Sequence, residues 1–145
     1  MSKKLEEKNN YIDKCGPTHI GYYPDGINKH FEYYYVNDLP HKEDGPAHIV
    51  YYRNGIVKSE IYYLNGIITR DNNLPSYTTY YENGNKNFCM YHVNGLIHRT
   101  DGPAHILYCH NGIKNTKEYY FLNDVQYFPK SLEEFKKFVK LLMFR

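Results

Sequence analysis

The chain has 145 residues, 41% of them hydrophobic, with 18 Tyr, 7 Phe and no Trp. That length fits one domain, and the aromatic load excludes a disordered chain. A net charge of +2 supplies no global reason to expect nucleic acid or an anionic membrane surface as partner. No apolar run approaches the ~20 residues of a membrane span.

Residues 1–14 are polar and charged. They lack the apolar stretch of a signal peptide, so an intracellular protein with reduced thiols is expected. From residue 15 the chain repeats. One anchor is Pro17, Pro46, Pro75 and Pro103; a second is Gly26, Gly55, Gly84 and Gly112; a third is Asn37, Asn65, Asn94 and Asn123. All three keep a 28–29-residue period, which divides 15–128 into units of about 15–43, 44–72, 73–100 and 101–128. The first and fourth units carry one extra residue after the first turn, within Ile27–Phe31 and Ile113–Lys117.

Each unit opens on a Gly-Pro-type segment such as Asp44-Gly45-Pro46-Ala47. Pro has no N–H and suits the first residue of a strand, while Asp accepts turn N–H groups. Two turns of the Asn-Gly kind follow. Between aromatic and β-branched runs this is a strong hairpin signal, read here as type I′ turns with both central residues at positive φ. Asn37-Asp38 and Asn123-Asp124 lack the Gly and give a weaker signal.

Strand alternation sorts the columns into two faces. The packed face is assigned Ile20, Ile49, Thr78 and Ile106; Tyr22, Tyr51, Tyr80 and Tyr108; Tyr34, Tyr62, Tyr91 and Tyr120; and Val36, Leu64, Val93 and Leu122. The variable face holds Tyr33, Ile61, Met90 and Tyr119, then Tyr35, Tyr63, His92 and Phe121.

After Phe128-Pro129-Lys130, the run Ser131-Leu132-Glu133-Glu134 fits a helix-capping box. Leu132, Phe135, Phe138, Val139 and Leu142 recur at helical spacing. An amphipathic helix over 129–145 is therefore expected to pack on the last unit as a lid; the competing reading is a membrane-surface helix. The predicted fold is an all-β repeat, an antiparallel meander of four ~29-residue hairpin units, closed by a C-terminal capping α-helix.

The strings Tyr51-Tyr52-Arg53-Asn54-Gly55 and Tyr91-His92-Val93-Asn94-Gly95-Leu96-Ile97-His98-Arg99-Thr100-Asp101-Gly102-Pro103-Ala104 resemble the MORN-variant repeats. The resemblance covers residues 15–128. Similar proteins are abundant in giant DNA viruses of amoebae and in bacteria, where some are called antitoxin-like. The resemblance implies a curved β-meander used as an interaction surface, and no catalytic residue.

The residues themselves also point away from catalysis. Cys15, Cys89 and Cys109 have no metal- or redox-motif spacing and each replaces a different repeat residue. His19, His48 and His105 share one column and His41 and His98 another. Equivalent positions lie two strands apart, ~9–10 Å, so one column does not place two ligands on one ion; His41 with His48 stays geometrically open. Glu32, Glu60 and Glu118 form a column too widely spaced for a carboxylate pair and are read as solvated or paired with Lys. No cofactor or metal is expected. The candidate partner-binding residues are Tyr33, Tyr35, Tyr63, His92, Tyr119 and Phe121, because exposed Tyr anchors protein interfaces. The expectation is a non-catalytic scaffold with a protein partner. Base stacking on nucleic acid, an antitoxin-like role, and self-assembly into homo-oligomers through sheet edges are the alternatives.

Overall fold

The computed structural model describes residues 16–71 and 73–144; the polar segment 1–14, Cys15, Asn72 and Arg145 lie outside them. Four antiparallel hairpins form the main sheet: β1 (His19–Tyr22) with β2 (Lys29–Tyr33), β5 (His48–Tyr51) with β6 (Val57–Ile61), β9 (Tyr77–Tyr80) with β10 (Lys86–Met90), and β13 (His105–Tyr108) with β14 (Lys114–Leu122). Between hairpins stand three short ribbons, β3 (Tyr35–Val36) with β4 (Leu39–Pro40), β7 (Tyr63–Leu64) with β8 (Ile67–Ile68), and β11 (His92–Val93) with β12 (Leu96–Ile97). The corresponding end of β14 pairs with β15 (Val125–Tyr127), and α1 (Leu132–Met143) follows. The nine-stranded sheet runs β1-β2-β5-β6-β9-β10-β13-β14-β15, so each hairpin pairs with the next in chain order.

The two turns of a hairpin–ribbon pair use different physics. In the ribbon turns both central residues sit at positive φ, as in Asn65 (50°) with Gly66 (80°), which is the type I′ turn predicted. Asn37-Asp38 and Asn123-Asp124 adopt it too, with Asp38 at 61° and Asp124 at 64°. The missing Gly therefore does not weaken the turn type, because Asp tolerates this region.

The hairpin turns correct the expectation. Only their glycines, such as Gly55 at 82°, have positive φ. Gly55 N–H donates to Tyr52 O and Tyr52 N–H to Ile56 O, a type I turn closed by a left-handed glycine. The preceding Asn acts through its side chain: Asn54 Oδ1 accepts from Ile56 N–H at 3.0 Å, and Asn83, Asn111 and Asp25 repeat the contact. Asn and Asp are interchangeable there because acceptance, not a left-handed backbone, is what the turn requires.

On one side of the sheet the register aligns His19, Tyr33, His48, Ile61, Tyr77, Met90, His105 and Tyr119 in one row. A second row on that side is Gly21, Phe31, Val50, Ser59, Thr79, Phe88 and Leu107. The other side carries Ile20, Glu32, Ile49, Glu60, Thr78, Cys89, Ile106 and Glu118. Thr78 and Ile106 are buried, as expected of the packed face, but Ile20 and Tyr22 are 43% and 51% exposed. Their strand opens the sheet and has no described strand before it. Val93 is likewise exposed rather than packed.

The glutamate column is not simply solvated. Glu32 is buried and bonds Lys29, and Tyr51 Oη of the next hairpin donates to it at 2.7 Å. Tyr80 Oη donates to Glu60 at 2.9 Å in the same way. Lys114 and Tyr120 Oη bond Glu118. At Cys89 the carboxylate is replaced by a buried thiol that donates to Thr78 Oγ1, and burial pushes that thiol up.

The tyrosines after the hairpin strands reach forward. Tyr23 Oη donates to Tyr51 O, Tyr52 Oη to Tyr80 O and Tyr81 Oη to Tyr108 O, at 2.8–3.0 Å. Thus Tyr51 and Tyr80, each the first Tyr of its pair, bond backward, and Tyr23, Tyr52 and Tyr81, the second, bond forward.

The apolar core lies at the C-terminal end: Tyr120, Leu122, Phe135 and Val139 are buried, with Tyr127 and Phe138 against them. Ser131 caps α1, accepting from Glu134 N–H at 3.2 Å. Glu134 reaches back to Lys130 N–H, one residue earlier than a capping box requires. Leu132 and Leu142, placed in the apolar stripe by periodicity, are 38% and 44% exposed. Tyr34, Tyr62 and Tyr91 lie under Lys42, Arg70 and Arg99, with the cation 3.8–4.1 Å from the ring centroid. Tyr120, the fourth of that column, is covered instead by the Phe135 ring at 4.7 Å. The helix thus supplies by apolar contact what a basic side chain supplies elsewhere.

Candidate functional site

The site is built from the row that starts at His19. Side chains alternate across a strand, so this side collects every second residue of each hairpin. Its two rows contain no Asp, Glu, Lys or Arg, whereas Glu32, Glu60 and Glu118 project from the opposite side. Lys117, one alternation from Tyr119, is the first charge on this side.

Three of the six predicted residues converge on His48. Its ring lies 4.3 Å from Tyr33, 5.4 Å from Tyr35 and 5.1 Å from Tyr63, and its Nε2 is 3.1 Å from Tyr35 Oη. Phe31 stacks on Tyr33 at 4.6 Å, and His19 meets Tyr35 edge-on at 5.4 Å. Thr18, His19, Ile20, Phe31, Tyr33, Tyr35 and Asp38 line a shallow open concavity at this end of the sheet. A second group forms around His105, with Phe88 at 4.4 Å and Tyr119 at 5.0 Å, and Tyr77 beside Phe88. Burial holds both His48 and His105 below the ordinary imidazole range, which favours the neutral form of these two rings.

Tyr33, Tyr35, Tyr63, Tyr119 and Phe121 are all half-buried: each retains surface, and the four tyrosine rings are packed on neighbouring rings. His92 is not a surface residue. It is buried, its N–H donates to Ser76 Oγ at 3.0 Å, and its Nδ1 lies 2.8 Å from the same oxygen. Ser76 occupies the position of Ala47 and Ala104, all three fully buried. A hydroxyl in that place needs a partner, and the imidazole supplies it where Tyr63 and Phe121 stand in other units. His48 and His105, which anchor the two ring groups, were not among the predicted binding residues. Their shared column was the available signal.

The other histidine column is structural. His41 Nδ1 accepts from Asn65 N–H at 3.0 Å and His98 Nδ1 from Asn123 N–H at 3.2 Å; Thr69 Oγ1 accepts from Asn94 N–H in the same role. Each links one ribbon to the turn of the next. Chemically, this face offers flat aromatic area with hydroxyl and imidazole edges, which suits adhesion. The chain matches no family model, no curated protein and no solved structure.

Proposed function

We propose that this chain is a non-catalytic interaction or scaffold module of the MORN-variant type, working inside cells, whose four hairpin–ribbon units present an aromatic sheet face to a protein partner. The observation that carries this reading is the segregation of charge. Two residue rows across the sheet hold no charged side chain until Lys117 in β14, while the carboxylates of the same strands lie on the other side. A face without charge is cheap to desolvate, and rings already packed on neighbours lose little freedom when a partner covers them. Tyr33, Tyr35, Tyr63 and Tyr119 are the contact residues, with His48 and His105 fixing their rings.

The test compares affinity capture by the wild-type chain and by the Tyr35→Ser/Tyr63→Ser variant, with a nuclease-treated control. A protein partner that survives nuclease and binds the variant at least about 30-fold more weakly, with the variant's circular dichroism unchanged, is the expected result. A partner released by nuclease, or one held equally by the variant, overturns the proposal.

A further inference from the structure

We infer that copies of this chain associate head to tail, the β1 edge of one copy adding to the outer edge of β14 in the next. In the interior, each first strand docks on the preceding hairpin in one register. Tyr33 faces His48 and Glu32 faces Ile49; Ile61 faces Tyr77 and Glu60 faces Thr78. Across these junctions a tyrosine of the incoming strand donates its hydroxyl to that glutamate, Tyr51 to Glu32 and Tyr80 to Glu60.

The two ends of the sheet carry the two halves of this junction. At one end, β1 presents Ile20 and Tyr22, 43% and 51% exposed, in the positions of Ile49 and Tyr51. Its sequence His-Ile-Gly-Tyr has none of the Lys, Pro or inward charge that protects edge strands. At the other end, β14 presents Glu118 and Tyr119 in the positions of Glu32 and Tyr33, both half-exposed. Its β15 partner covers only Tyr120–Leu122, and α1 packs on Tyr120 and Leu122, leaving Lys117–Tyr119 without a described strand partner on the outer side.

The backbone groups are aimed correctly. The Tyr119 carbonyl accepts from Ala104, so antiparallel alternation turns the N–H and C=O of Glu118 outward. Tyr33 accepts from Thr18 in the same way, which turns both backbone groups of Ile20, opposite Glu32, away from β2. Docking therefore sets Glu118 opposite Ile20 of a second copy and Tyr119 opposite His19, with the second copy's Tyr22 hydroxyl reaching Glu118. Such a contact is heterologous, leaving one free β1 edge and one free β14 edge on every dimer, so assembly continues past two copies. Interior junctions also contain the forward tyrosine bond of Tyr23, Tyr52 and Tyr81. The last unit has Cys109 there, exposed, so the intermolecular junction is weaker than the internal ones and reversible.

Sedimentation velocity of the full chain over a concentration series tests this, with circular dichroism verifying each variant's fold. The expected result is mass that grows with concentration past the dimer. Ile20→Pro and Glu118→Pro, which remove outward-facing N–H groups, are each monomeric alone and form a dimer when mixed. Should either proline variant unfold, two milder ones carry the test: Cys109→Tyr tightens assembly about fivefold by restoring one hydrogen bond, and Tyr22→Phe loosens it by a similar factor. A wild-type chain that stays monomeric throughout overturns the inference. So does a dimer that Ile20→Pro abolishes but Glu118→Pro and Cys109→Tyr leave unchanged, since that pattern is β1 pairing with its own copy.

Discussion

Tyr22, 51% exposed, has no described hairpin before it to supply the glutamate that Tyr51 and Tyr80 bond, and Cys109 puts a thiol where Tyr23, Tyr52 and Tyr81 place a hydroxyl. In the interior, the second Tyr of each Tyr-Tyr pair donates forward to the next hairpin, and Cys stands there only in the fourth unit, which β15 and α1 follow. Ser76 and His92 show compensation within one unit, because a buried hydroxyl and a buried imidazole satisfy each other. Charge at the residue scale also fixes how acid acts. Burial holds His48, His92 and His105 below the ordinary value. The unfolded chain therefore binds protons that the folded one refuses, so stability is full above about pH 6.5 and declines as pH falls toward the folded values. For Glu32, burial alone would raise the carboxyl, but Lys29 and the Tyr51 hydroxyl outweigh it and lower it. Asp25 is lowered to about 2 by the N–H groups of Asn28 and Ile27. The contribution of these carboxylates is full above about pH 4 and lost as pH falls through their folded values. A urea midpoint followed against pH is expected to fall in two stages; a midpoint flat between about pH 7 and 5 would rule out the histidine stage.

Among the elements, α1 differs from the strands in how it is held. Its buried side chains are Phe135 and Val139, with Phe138 partly covered, and the helix end projects with Leu141 68% exposed. Phe135 is 1% exposed and replaces, over Tyr120, the basic side chain that covers Tyr34, Tyr62 and Tyr91. Phe135→Ala is expected to cost about 3–5 kcal/mol, and Leu141→Ala less than about 0.5 kcal/mol. Chemical denaturation of the two variants measures both, and equal losses would show that the exposed tip is held by something other than this packing.

Taken as a whole, the molecule is a row of nearest-neighbour junctions with its densest apolar packing at one end. The cluster of Tyr120, Leu122, Phe135 and Val139 closes the β14 end, whereas β1 at the other end leaves Ile20 and Tyr22 exposed. In such arrays stability is the sum of unit and junction terms, and openings start where junctions are missing. Amide hydrogen exchange, measured on dilute protein, is therefore expected to be fastest in β1–β2 and slowest in β13–β14 and β15. Uniform exchange across the hairpins would show instead a single cooperative unit.

The alternation of hairpins and ribbons and the presence of the closing helix are legible in the amino-acid sequence alone. Those features follow from local chemistry: Asn and Asp at ribbon turns, Gly at hairpin turns, Pro at strand starts, and Ser-x-x-Glu before an apolar stripe. The sequence also places Tyr33, Tyr35 and Tyr63 on one face, because a two-residue period is a property of each strand alone, and their rings meet around His48. Which equivalent residues differ in environment depends on the folded arrangement of the strands. Ile20 and Ile106 are the same position in the repeat, yet one is 43% and the other 4% exposed. Likewise His92 is buried while Tyr63 keeps surface, because a serine sixteen residues away in sequence, Ser76, lies beside it. The physical reason is common to both cases. Burial in a stacked sheet is set by the neighbouring strand, so a residue's pattern fixes the side it faces, and its neighbours fix whether that side is covered.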